Sequence, residues 1–437
     1  MVDFSSPEYV SFFRHSSPYI NAHRGRTFVL MIGGEAIADN NFGNIIHDIA
    51  LLNSLGVRLV VVFGARPQID QYLKERQVAC KFHQHQRITD KEVLESVKDA
   101  VGNLRIKIES MLSMGLANSP MHNARIRVIG GNFVTAKPIG VVDGVDFLHS
   151  GDVRRIDRKA IFQQLDDGYV VLLSCLGSSP TGQVFNLATE DVATQTAITL
   201  GAEKLIIFGS KSGIQDNNNQ LIRTMKPAEA LRILKQTKSL EAKRLLSAAL
   251  TACEGGTDRA HIISHQQDGA LLQELFTRDG SGTLITHDGY EEIRQGNIED
   301  VGGILKLIQP LEKQGVLVRR SRKQIEQEIN LFTIIERDGT IIGCAAFHPY
   351  SDSDSAELAC VAVHQDYQGS ERGNLLLQHN EEAARKQGIK ALFVLTTKTA
   401  HWFLERGFEE TTLDALPNAK KSTYNPKRGS KVFVKKL

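Results

Sequence analysis

The sequence lacks the features that define several protein classes. Its five cysteines are odd in number and scattered, without a C-x-x-C pair, which predicts reduced thiols in a cytoplasmic protein. The longest apolar runs have the length of a strand, and the N-terminal residues lack the apolar core of a signal peptide, so we expect no membrane segment. With 52 basic and 50 acidic residues the net charge is only +2. Because no basic run is interleaved with aromatic residues, we expect no nucleic-acid partner.

A metal-ligand pattern and a strongly basic surface are also missing. His83 and His85 could in principle bind a metal ion, but no third ligand stands at a useful spacing, so we expect a plain loop and no metal. The densest basic run, at 319–323, is interpreted as the solvated start of a helix. One of its arginines could still face an acidic substrate.

The length of 437 residues exceeds one typical hydrophobic core, so two domains are expected. The first, residues 1–288, alternates strands with helices. Apolar runs at 28–32 and 59–63 each lead into a glycine turn, and helices follow at 45–55 and from Pro67. Further strands are predicted at 169–173, 204–208 and 261–264. These βα units predict an α/β domain with a mainly parallel sheet, whose glycine turns form ligand-binding edges.

The second domain, residues 289–437, is predicted to be mixed α/β with another order of elements. Asn297 and Asp300 form a capping-box pattern that predicts a helix, and Ser321 with Gln324 repeats the pattern. The predicted buried stripe of the first helix is Ile298, Val301, Ile304, Leu305 and Ile308. The other predicted elements are a hairpin turn at Asp338-Gly339, strands at 332–336, 341–347, 356–363, 391–397 and 431–434, and helices at 373–388 and 400–406.

The loop at 368–373 follows an apolar strand and precedes a helix, as pyrophosphate-binding loops do. The first N–H groups of a helix are unpaired and carry partial positive charge, so phosphate oxygens bind there. The loop resembles the acyl-CoA-binding motif Gln/Arg-x-x-Gly-x-Gly/Ala of the GNAT acetyltransferases. Gln368 and Gly373 stand at its first and last fixed positions, and Glu371 replaces the middle glycine. With the order of elements, this resemblance implies a GNAT domain that uses acetyl-CoA as co-substrate.

The GNAT resemblance implies roles for particular residues. Glu357, on the strand beside the thioester, would be the general base; the alternative is a strand-edge carboxylate turned to solvent. Thr396 would hydrogen-bond the departing thiolate; the alternative is an ordinary β-branched strand residue. The implied cofactor-binding residues are Cys360, Val361, Val363, Gln368, Gly369, Ser370, Arg372 and Gly373. The implied substrate-binding residues, which would hold carboxylates, are Arg320, Arg428 and Ser430, and the alternative for these is general surface charge.

Residues 1–288 resemble the amino-acid kinase fold, especially acetylglutamate kinase, but the groups that handle phosphate differ. Met31 stands where these kinases have a lysine, and Ser210 where they have an aspartate. Gly64-Ala65-Arg66-Pro67 replaces a Gly-Gly-Gly-Pro loop, and the segment 186–190 departs from Asn-x-Asn-Ala-Asp. Because phosphoryl transfer depends on positioned cations and hydrogen bonds, we predict that this domain does not use ATP.

The segment 261–283 resembles the part of arginine-sensitive acetylglutamate kinases that lines the arginine inhibitor site together with an N-terminal helix. Residues 12–20 are a counterpart of that helix. The implied arginine-binding residues are Tyr19, Glu274, Gly280 and Gly282. A carboxylate can take guanidinium through paired hydrogen bonds, and glycines leave carbonyls free to accept more. The alternative is an ordinary helix cap with the glycines as turn residues.

A catalytically silent amino-acid kinase domain joined to a GNAT domain resembles the bacterial type of N-acetylglutamate synthase. The resemblance implies transfer of an acetyl group from acetyl-CoA to the α-amine of L-glutamate, at the start of arginine biosynthesis. It also implies allosteric inhibition by arginine and a homo-oligomer, a hexamer. Two alternatives stay open. The chain could acetylate another amine, such as a protein lysine, or it could be a non-enzymatic arginine sensor, which the carboxylate of Glu371 in the loop would favour.

Overall fold

The computed structural model describes residues 7–114, 121–216, 218–277, 279–287, 291–337, 339–368 and 372–437. The chain forms two compact units, Met1–Asp288 and Gly289–Leu437. Both units combine helices with β-sheet. None of the helices in these ranges is long and apolar enough to cross a membrane.

The first unit is built on one large sheet. Its helices are α1 (Pro7–His23), α2 (Gly34–Ala38), α3 (Phe42–Ser54), α4 (Arg66–Glu75), α5 (Lys91–Leu112), α6 (Arg158–Asp166), α7 (Thr189–Leu200), α8 (Pro227–Gln236), α9 (Leu240–Glu254) and α10 (Ala270–Phe276). Its strands are β1 (Thr27–Ile32), β2 (Arg58–Phe63), β3 (Lys81–His83), β4 (Gln86–Ile88), β5 (Val128–Ile129), β6 (Val134–Pro138), β7 (Val141–Val142), β8 (Val145–Asp146), β9 (Ser150–Ile156), β10 (Val170–Ser174), β11 (Leu176–Ser178), β12 (Val184–Leu187), β13 (Lys204–Gly209), β14 (Thr224–Met225), β15 (Arg259–Ser264) and β16 (Thr283–Thr286).

Eight of these strands form the sheet in the order β14-β16-β15-β13-β1-β2-β10-β5. All neighbours in it run parallel except β15 and β16. Side chains of β1 alternate between two core clusters: Phe28, Leu30 and Ile32 pack in one, Val29 and Met31 in the other. Both faces are therefore covered, which explains the continuous apolar runs. The mainly parallel sheet predicted for this domain is confirmed.

Several local predictions for the first unit need adjustment. The helix expected at 45–55 is α3, and the helix expected from Pro67 begins one residue earlier. Strands β6, β9, β11 and β12 close into a small barrel that was not predicted. The plain loop expected at His83 is wrong, because His83 pairs with Gln86 at the end of β3. Within the described ranges, no cluster of His, Cys, Asp and Glu is arranged to hold a metal ion.

The second unit contains a mixed sheet flanked by helices. Its helices are α11 (Val301–Lys313), α12 (Arg322–Glu328), α13 (Arg372–Lys386), α14 (Ala400–Leu404) and α15 (Asn418–Thr423). Its strands are β17 (Glu291–Gln295), β18 (Phe332–Arg337), β19 (Thr340–Tyr350), β20 (Ser355–Val363), β21 (Ala391–Thr396), β22 (Glu409–Thr411) and β23 (Lys431–Lys436). They pair in the order β17-β18-β19-β20-β21-β23-β22. Only β20 and β21 run parallel among these neighbours.

The capping box at Asn297 and Asp300 is present, but it opens a short 3-10 turn, Ile298–Asp300, before α11. Such a turn rotates each residue further than an α-helix does. Ile298 therefore points outward and is 61% exposed, so its place in the buried stripe was wrongly predicted. The remaining stripe is present, with Val301 and Ile304 fully inside the core.

Candidate functional site

The sheet of the second unit opens between its two parallel strands. β20 and β21 pair only from Ser355 with Ala391 to Glu357 with Phe393. β21 stays paired along its whole length with β23 on its other side. The gap between residues 358–363 of β20 and the end of β21, here called the cleft, leaves one backbone edge of β20 without a strand partner. An extended ligand that carries amides can hydrogen-bond to such an edge.

A β-bulge lies on the same stretch of β20. The pairing of β20 with β19 shifts register between Cys344 and Ala346, and Cys360 opposite this shift has a φ of 52°. The left-handed region costs a non-glycine residue about 1–2 kcal/mol, and such strain clusters at functional sites. A bulge also leaves one residue unpaired in the ladder. The N–H of such an unpaired residue is suited to donate to an oxyanion.

The cleft continues towards the first turn of α13. This helix begins at Arg372, and a side chain on Gly373 would come within 2.9 Å of the Trp402 ring. Glycine therefore allows the helix start to pack closely against that ring. The Gln368 side chain donates to the Val363 carbonyl at 3.0 Å. Gly369 and Ser370 lie outside the described residues, as does Glu371, so their predicted contacts stay predictions.

Two guanidinium groups surround Tyr367 beside this helix start. Arg372 and Arg337 lie 5.0 and 5.2 Å from the centre of its ring. Both also contact the carboxylate of Glu291, which Arg372 Nε reaches at 2.8 Å and Arg337 Nη1 at 3.2 Å. The two guanidinium groups share one carboxylate, so a net positive charge remains beside the helix N-terminus, which suits phosphate groups. The sequence indicated Arg372 but gave no signal for Arg337 or Glu291.

Glu357 lies at the closed end of the cleft. Its residue is 7% exposed, which removes the alternative of a carboxylate turned to solvent. Oε2 of Glu357 is 2.7 Å from Nζ of Lys420 and accepts a hydrogen bond from the Tyr350 hydroxyl at 3.2 Å. Neither partner was predicted, and α15, which carries Lys420, was missed altogether.

Thr396 ends β21, at the side of the cleft opposite β20. Its hydroxyl accepts from the N–H of Thr399 at 3.1 Å and shares a 2.8 Å hydrogen bond with the Thr399 hydroxyl. The residue therefore stabilises the turn after the strand. Its predicted contact with a leaving thiolate stays a prediction.

Arg320 and Arg428 form a second electropositive group. Arg428 donates to the Val316 carbonyl at 2.7 Å, and burial, together with the charge of Arg320, lowers the pKa of Arg428. The backbone N–H of Arg320 donates to Glu312 at 2.8 Å, while its Nε is buried without a hydrogen-bond partner. Arg320 Nη1 donates to the Val318 carbonyl at 3.3 Å, so both guanidinium groups contact carbonyls, and neither has a carboxylate partner among the described residues. Two neighbouring arginines without a counter-ion suit an acidic ligand.

Ser430 stands near the end of the segment that carries Arg428. It is half-buried, and its carbonyl accepts a hydrogen bond from the Tyr424 hydroxyl at 2.9 Å. That bond closes the segment between α15 and β23. The predicted contact of Ser430 with a substrate carboxylate is not tested by this geometry.

In the first unit, two of the altered kinase motifs, at 64–67 and 186–190, meet around a cavity of about 500 Å³, lined by Arg66, Asn186 and Glu190 among others. Arg66 Nη2 and Glu190 Oε1, from two of these motifs, lie 3.8 Å apart. At the end of β13, the carboxylate of Glu241 accepts from Ser210 N at 2.8 Å and from its Oγ at 2.6 Å. Glu190 thus lies beside the loop of Arg66, and Glu241 lies beside the loop of Ser210. Their negative charges are unfavourable for a nucleotide phosphate.

The predicted arginine-binding segment forms a closed network around Glu274. Oε1 lies 2.6 Å from His261 Nδ1, and Oε2 accepts from the N–H groups of Ser281 and Gly282 at 2.6 and 2.8 Å. Burial opposes ionisation of Glu274, but these hydrogen bonds outweigh it and hold its pKa below the usual value. Burial lowers the pKa of His261, so a neutral ring donates to the carboxylate.

The backbone conformation and close packing of this segment explain why glycine stands at positions 280 and 282. Gly280 has a φ of 62°, and a side chain there would meet Glu274 Oε2 at 2.5 Å. A side chain on Gly282 would meet the Ile262 carbonyl at 2.2 Å. Tyr19 lies on α1, and His23 of the same helix contacts the Leu275 carbonyl of α10 at 2.8 Å. The structure thus brings α1 against α10, the helix that carries Glu274. The Glu274 carboxylate caps its own loop, as in the alternative. Its contact with arginine stays a prediction.

Known proteins share this two-part organisation. Residues 26–264 match the Amino acid kinase family, and residues 304–408 match the Acetyltransferase (GNAT) family. The amino-acid acetyltransferases of Azotobacter vinelandii and Ectopseudomonas mendocina are each 57% identical over 98% of this chain and 100% of their own length. The chain belongs to the amino-acid acetyltransferase family.

A solved member of the amino-acid acetyltransferases is similar over the full length. N-acetylglutamate synthase from Neisseria gonorrhoeae, complexed with coenzyme A and L-arginine, is 36% identical, with a TM-score of 0.88 over 98% of this chain and 99% of that chain. The same synthase complexed with coenzyme A and N-acetyl-glutamate is 37% identical, with a TM-score of 0.63.

Membership in the amino-acid acetyltransferase family confirms the resemblance drawn from the sequence. The first domain is amino-acid kinase-like and the second is a GNAT domain. The protein is therefore an enzyme, an amino-acid N-acetyltransferase that uses acetyl-CoA. The alternative of a non-enzymatic arginine sensor is set aside by this result. The individual site residues are not decided by family membership, and their roles are proposals.

Proposed function

We propose that the protein transfers the acetyl group of acetyl-CoA to the α-amine of L-glutamate and releases N-acetyl-L-glutamate and CoA. The observation that carries the proposal is the pair Arg320 and Arg428, two guanidinium groups without a carboxylate partner in the described chain. Glutamate brings two carboxylates, and each can take paired hydrogen bonds from a guanidinium. Ser430, on the segment of Arg428, would complete this site.

The cofactor would lie along the cleft. Val361 and Val363 are half-buried on the edge of β20 that β21 does not pair, so the pantetheine amides can hydrogen-bond there as an added strand. The pyrophosphate would meet the first turn of α13 with Gly373 and Arg372, next to the predicted loop residues Gln368, Gly369 and Ser370. Their N–H groups and the arginine supply the positive end that phosphate needs.

Acetyl transfer begins with loss of a proton from the substrate. An α-ammonium is mostly protonated at neutral pH, and Glu357 would accept its proton directly or through water. The free amine then attacks the thioester carbon, and an N–C bond forms. The N–H at Cys360 would stabilise the oxyanion. As the C–S bond breaks, the thiolate leaves beside Thr396. The nitrogen loses its second proton to become an amide, and that proton neutralises the thiolate.

Arginine would act from the first unit as a feedback inhibitor of this step. The Neisseria gonorrhoeae synthase was solved with L-arginine as well as coenzyme A. The segment with Glu274, Gly280 and Gly282, and Tyr19 on α1, would supply the site. Arginine can inhibit at a distance only if it binds one arrangement of the protein better than another. The first unit, residues 1–288, would thus be regulatory, and residues 289–437 catalytic.

A thiol-release assay with acetyl-CoA and a panel of amino acids tests the proposal. We expect CoA release with L-glutamate, a much lower rate with glutamine or a protein-lysine peptide, and inhibition when arginine is added. Preference for a basic peptide would favour the alternative of another amine and would contradict the glutamate assignment.

We also propose a cytoplasmic homo-oligomer, a hexamer by resemblance to this family. Light scattering on the purified full chain measures its mass directly. A mass of one or two chains at assay concentration would contradict the hexamer without affecting the proposed chemistry.

A further inference from the structure

The predicted general base, Glu357, contacts a lysine that no pattern in the sequence indicated. Nζ of Lys420 and Oε2 of Glu357 are 2.7 Å apart, and the two side chains are 22% and 9% exposed. Lys420 stands on α15, whose six residues are held in part by a hydrogen bond from the Ala419 N–H to Asp352 at 3.3 Å. A lysine ammonium sits on a flexible four-carbon stem. It can therefore leave the carboxylate while α15 stays in place.

The neighbours of Glu357 on β19 do not carry a positive charge. Tyr350 donates its hydroxyl to the same carboxylate oxygen as Lys420, at 3.2 Å. Burial and the charge of Glu357 raise the pKa of Tyr350, so its hydroxyl stays neutral. His348 stands opposite Glu357 in the strand pair, and burial lowers the pKa of His348. Its imidazole is therefore neutral under ordinary conditions.

The more distant charged groups do not contact the Glu357 carboxylate either. Arg320 and Glu328 act on His348 with opposite signs, and Asp352 acts on Tyr350 as a further negative charge. Of the described residues, only Lys420 places a full positive charge in contact with the Glu357 carboxylate. A buried carboxylate without a cation tends to bind a proton. In that form it could not accept the proton of the substrate.

The substrate brings its own ammonium to this carboxylate. We propose that Lys420 is a resident counter-ion of Glu357, which pairs with the buried carboxylate in the empty site and gives way to the α-ammonium of the amino acid. Lys420 is then a positioning residue and not a catalytic one. The inference rests on the proposed role of Glu357 as general base. It goes beyond that role because it says which cation contacts Glu357 before the substrate binds and which one contacts it afterwards.

The pH dependence of the full-length enzyme tests the exchange. The profile of kcat/KM reports groups of the free enzyme, and the profile of kcat reports groups of the substrate complex. In Lys420→Met the free enzyme loses the ion pair, so the acidic limb of kcat/KM for glutamate should move to higher pH. Loss of a contacting opposite charge predicts a fall of about tenfold or more in kcat/KM at the acidic end. The acidic limb of kcat should not move.

Two other outcomes contradict the proposal. If neither limb moves, Lys420 is not the counter-ion of the base. If both limbs move together, Lys420 stays on Glu357 when substrate is bound, and the exchange is wrong. Lys420→Gln gives a second variant in case methionine disturbs folding, and the KM for acetyl-CoA and the melting temperature check that the site is intact.

Matched variants separate this inference from the proposed mechanism. Lys420→Arg keeps a cation and should retain the wild-type profile, and Lys421→Met changes an exposed neighbour on α15 and should move neither limb. Glu357→Gln is measured in parallel. Wild-type turnover in Glu357→Gln would remove the base itself. A strong loss there, with an unchanged profile in Lys420→Met, would remove only the counter-ion.

Discussion

The carboxylates of Glu357 and Glu274 are both buried, yet they are neutralised in opposite ways. Glu274 is held by the buried His261 and by two backbone N–H groups of its own loop. Glu357 is held by one lysine on a short helix and by one tyrosine. A fixed set of donors makes a structural carboxylate, whereas a replaceable cation leaves a carboxylate that a substrate can reach.

The same contrast holds for the units that contain them. In the second unit, one edge of β20 has no strand partner, and Arg320 Nε is buried without a hydrogen bond. Arg320 and Arg428 contact backbone carbonyls, but neither pairs with a carboxylate among the described residues. In the first unit, Ser210 and Arg66, from the altered kinase loops, contact Glu241 and Glu190. Polar groups left unpaired indicate where a ligand acts, because the protein has not satisfied them itself.

Glu357→Gln removes the carboxylate that we propose as the general base, and it should have the largest effect on turnover. Loss of a general base lowers kcat by about a hundredfold or more, while acetyl-CoA binding should hardly change. Steady-state CoA release at neutral pH measures both. Glu382→Gln, an exposed acid on α13, is the control. Turnover close to wild type in Glu357→Gln would remove this residue from the mechanism.

Arg320→Ala and Arg428→Ala test whether the unpaired arginines hold the substrate. Each should raise the KM for glutamate by about ten- to a hundredfold, because a hydrogen bond between charged groups contributes about 1.5–3 kcal/mol. The KM for acetyl-CoA should stay the same. Arg319→Ala removes an exposed arginine next to Arg320 and should leave both constants unchanged. Unaltered glutamate KM in both variants would refute the carboxylate site.

Glu274→Gln tests the carboxylate that the protein itself already hydrogen-bonds. If the carboxylate takes the guanidinium of arginine, half-inhibition should need about tenfold more arginine, with the uninhibited rate nearly unchanged. The same exchange weakens the contact with His261, so the melting temperature should fall. Glu254→Gln, at an exposed carboxylate of the same unit, is the control. Normal arginine sensitivity in a folded Glu274→Gln would leave Glu274 only its structural role.

We predict that the first unit does not turn over ATP at all. Met31, Arg66, Glu190 and Ser210 stand where the kinase resemblance places phosphate-handling groups. A coupled assay for ADP in the presence of N-acetylglutamate, with an authentic acetylglutamate kinase as positive control, measures this. ADP formation that depends on N-acetylglutamate would show a second activity and would reverse our interpretation of these loops.

Apolar patterns predicted the fold better than they predicted the site. Strands such as β1 and β2 are buried nearly along their whole length, and their composition reveals them. β17, β22 and α15 were missed because they are short and contain no fully buried residue, so no periodic burial marks them. Glu357 and the arginines were found through the family resemblance. Lys420 was not, since only the path of the chain between α14 and β23 brings it to the cleft.

The bulge in β20 has a further consequence for the strand that bears it. Ala356 and Leu358 pack with α13 in one core cluster, but beyond the bulge Val361 and Val363 join that cluster while Cys360 packs in the other. The alternation of faces is therefore out of phase across a single extra residue. Removing one residue from 359–361 would restore regular alternation with both valines on their present face, but it would abolish the bulge and the left-handed residue at Cys360. Any chimaera that borrows this strand must carry that extra residue with it.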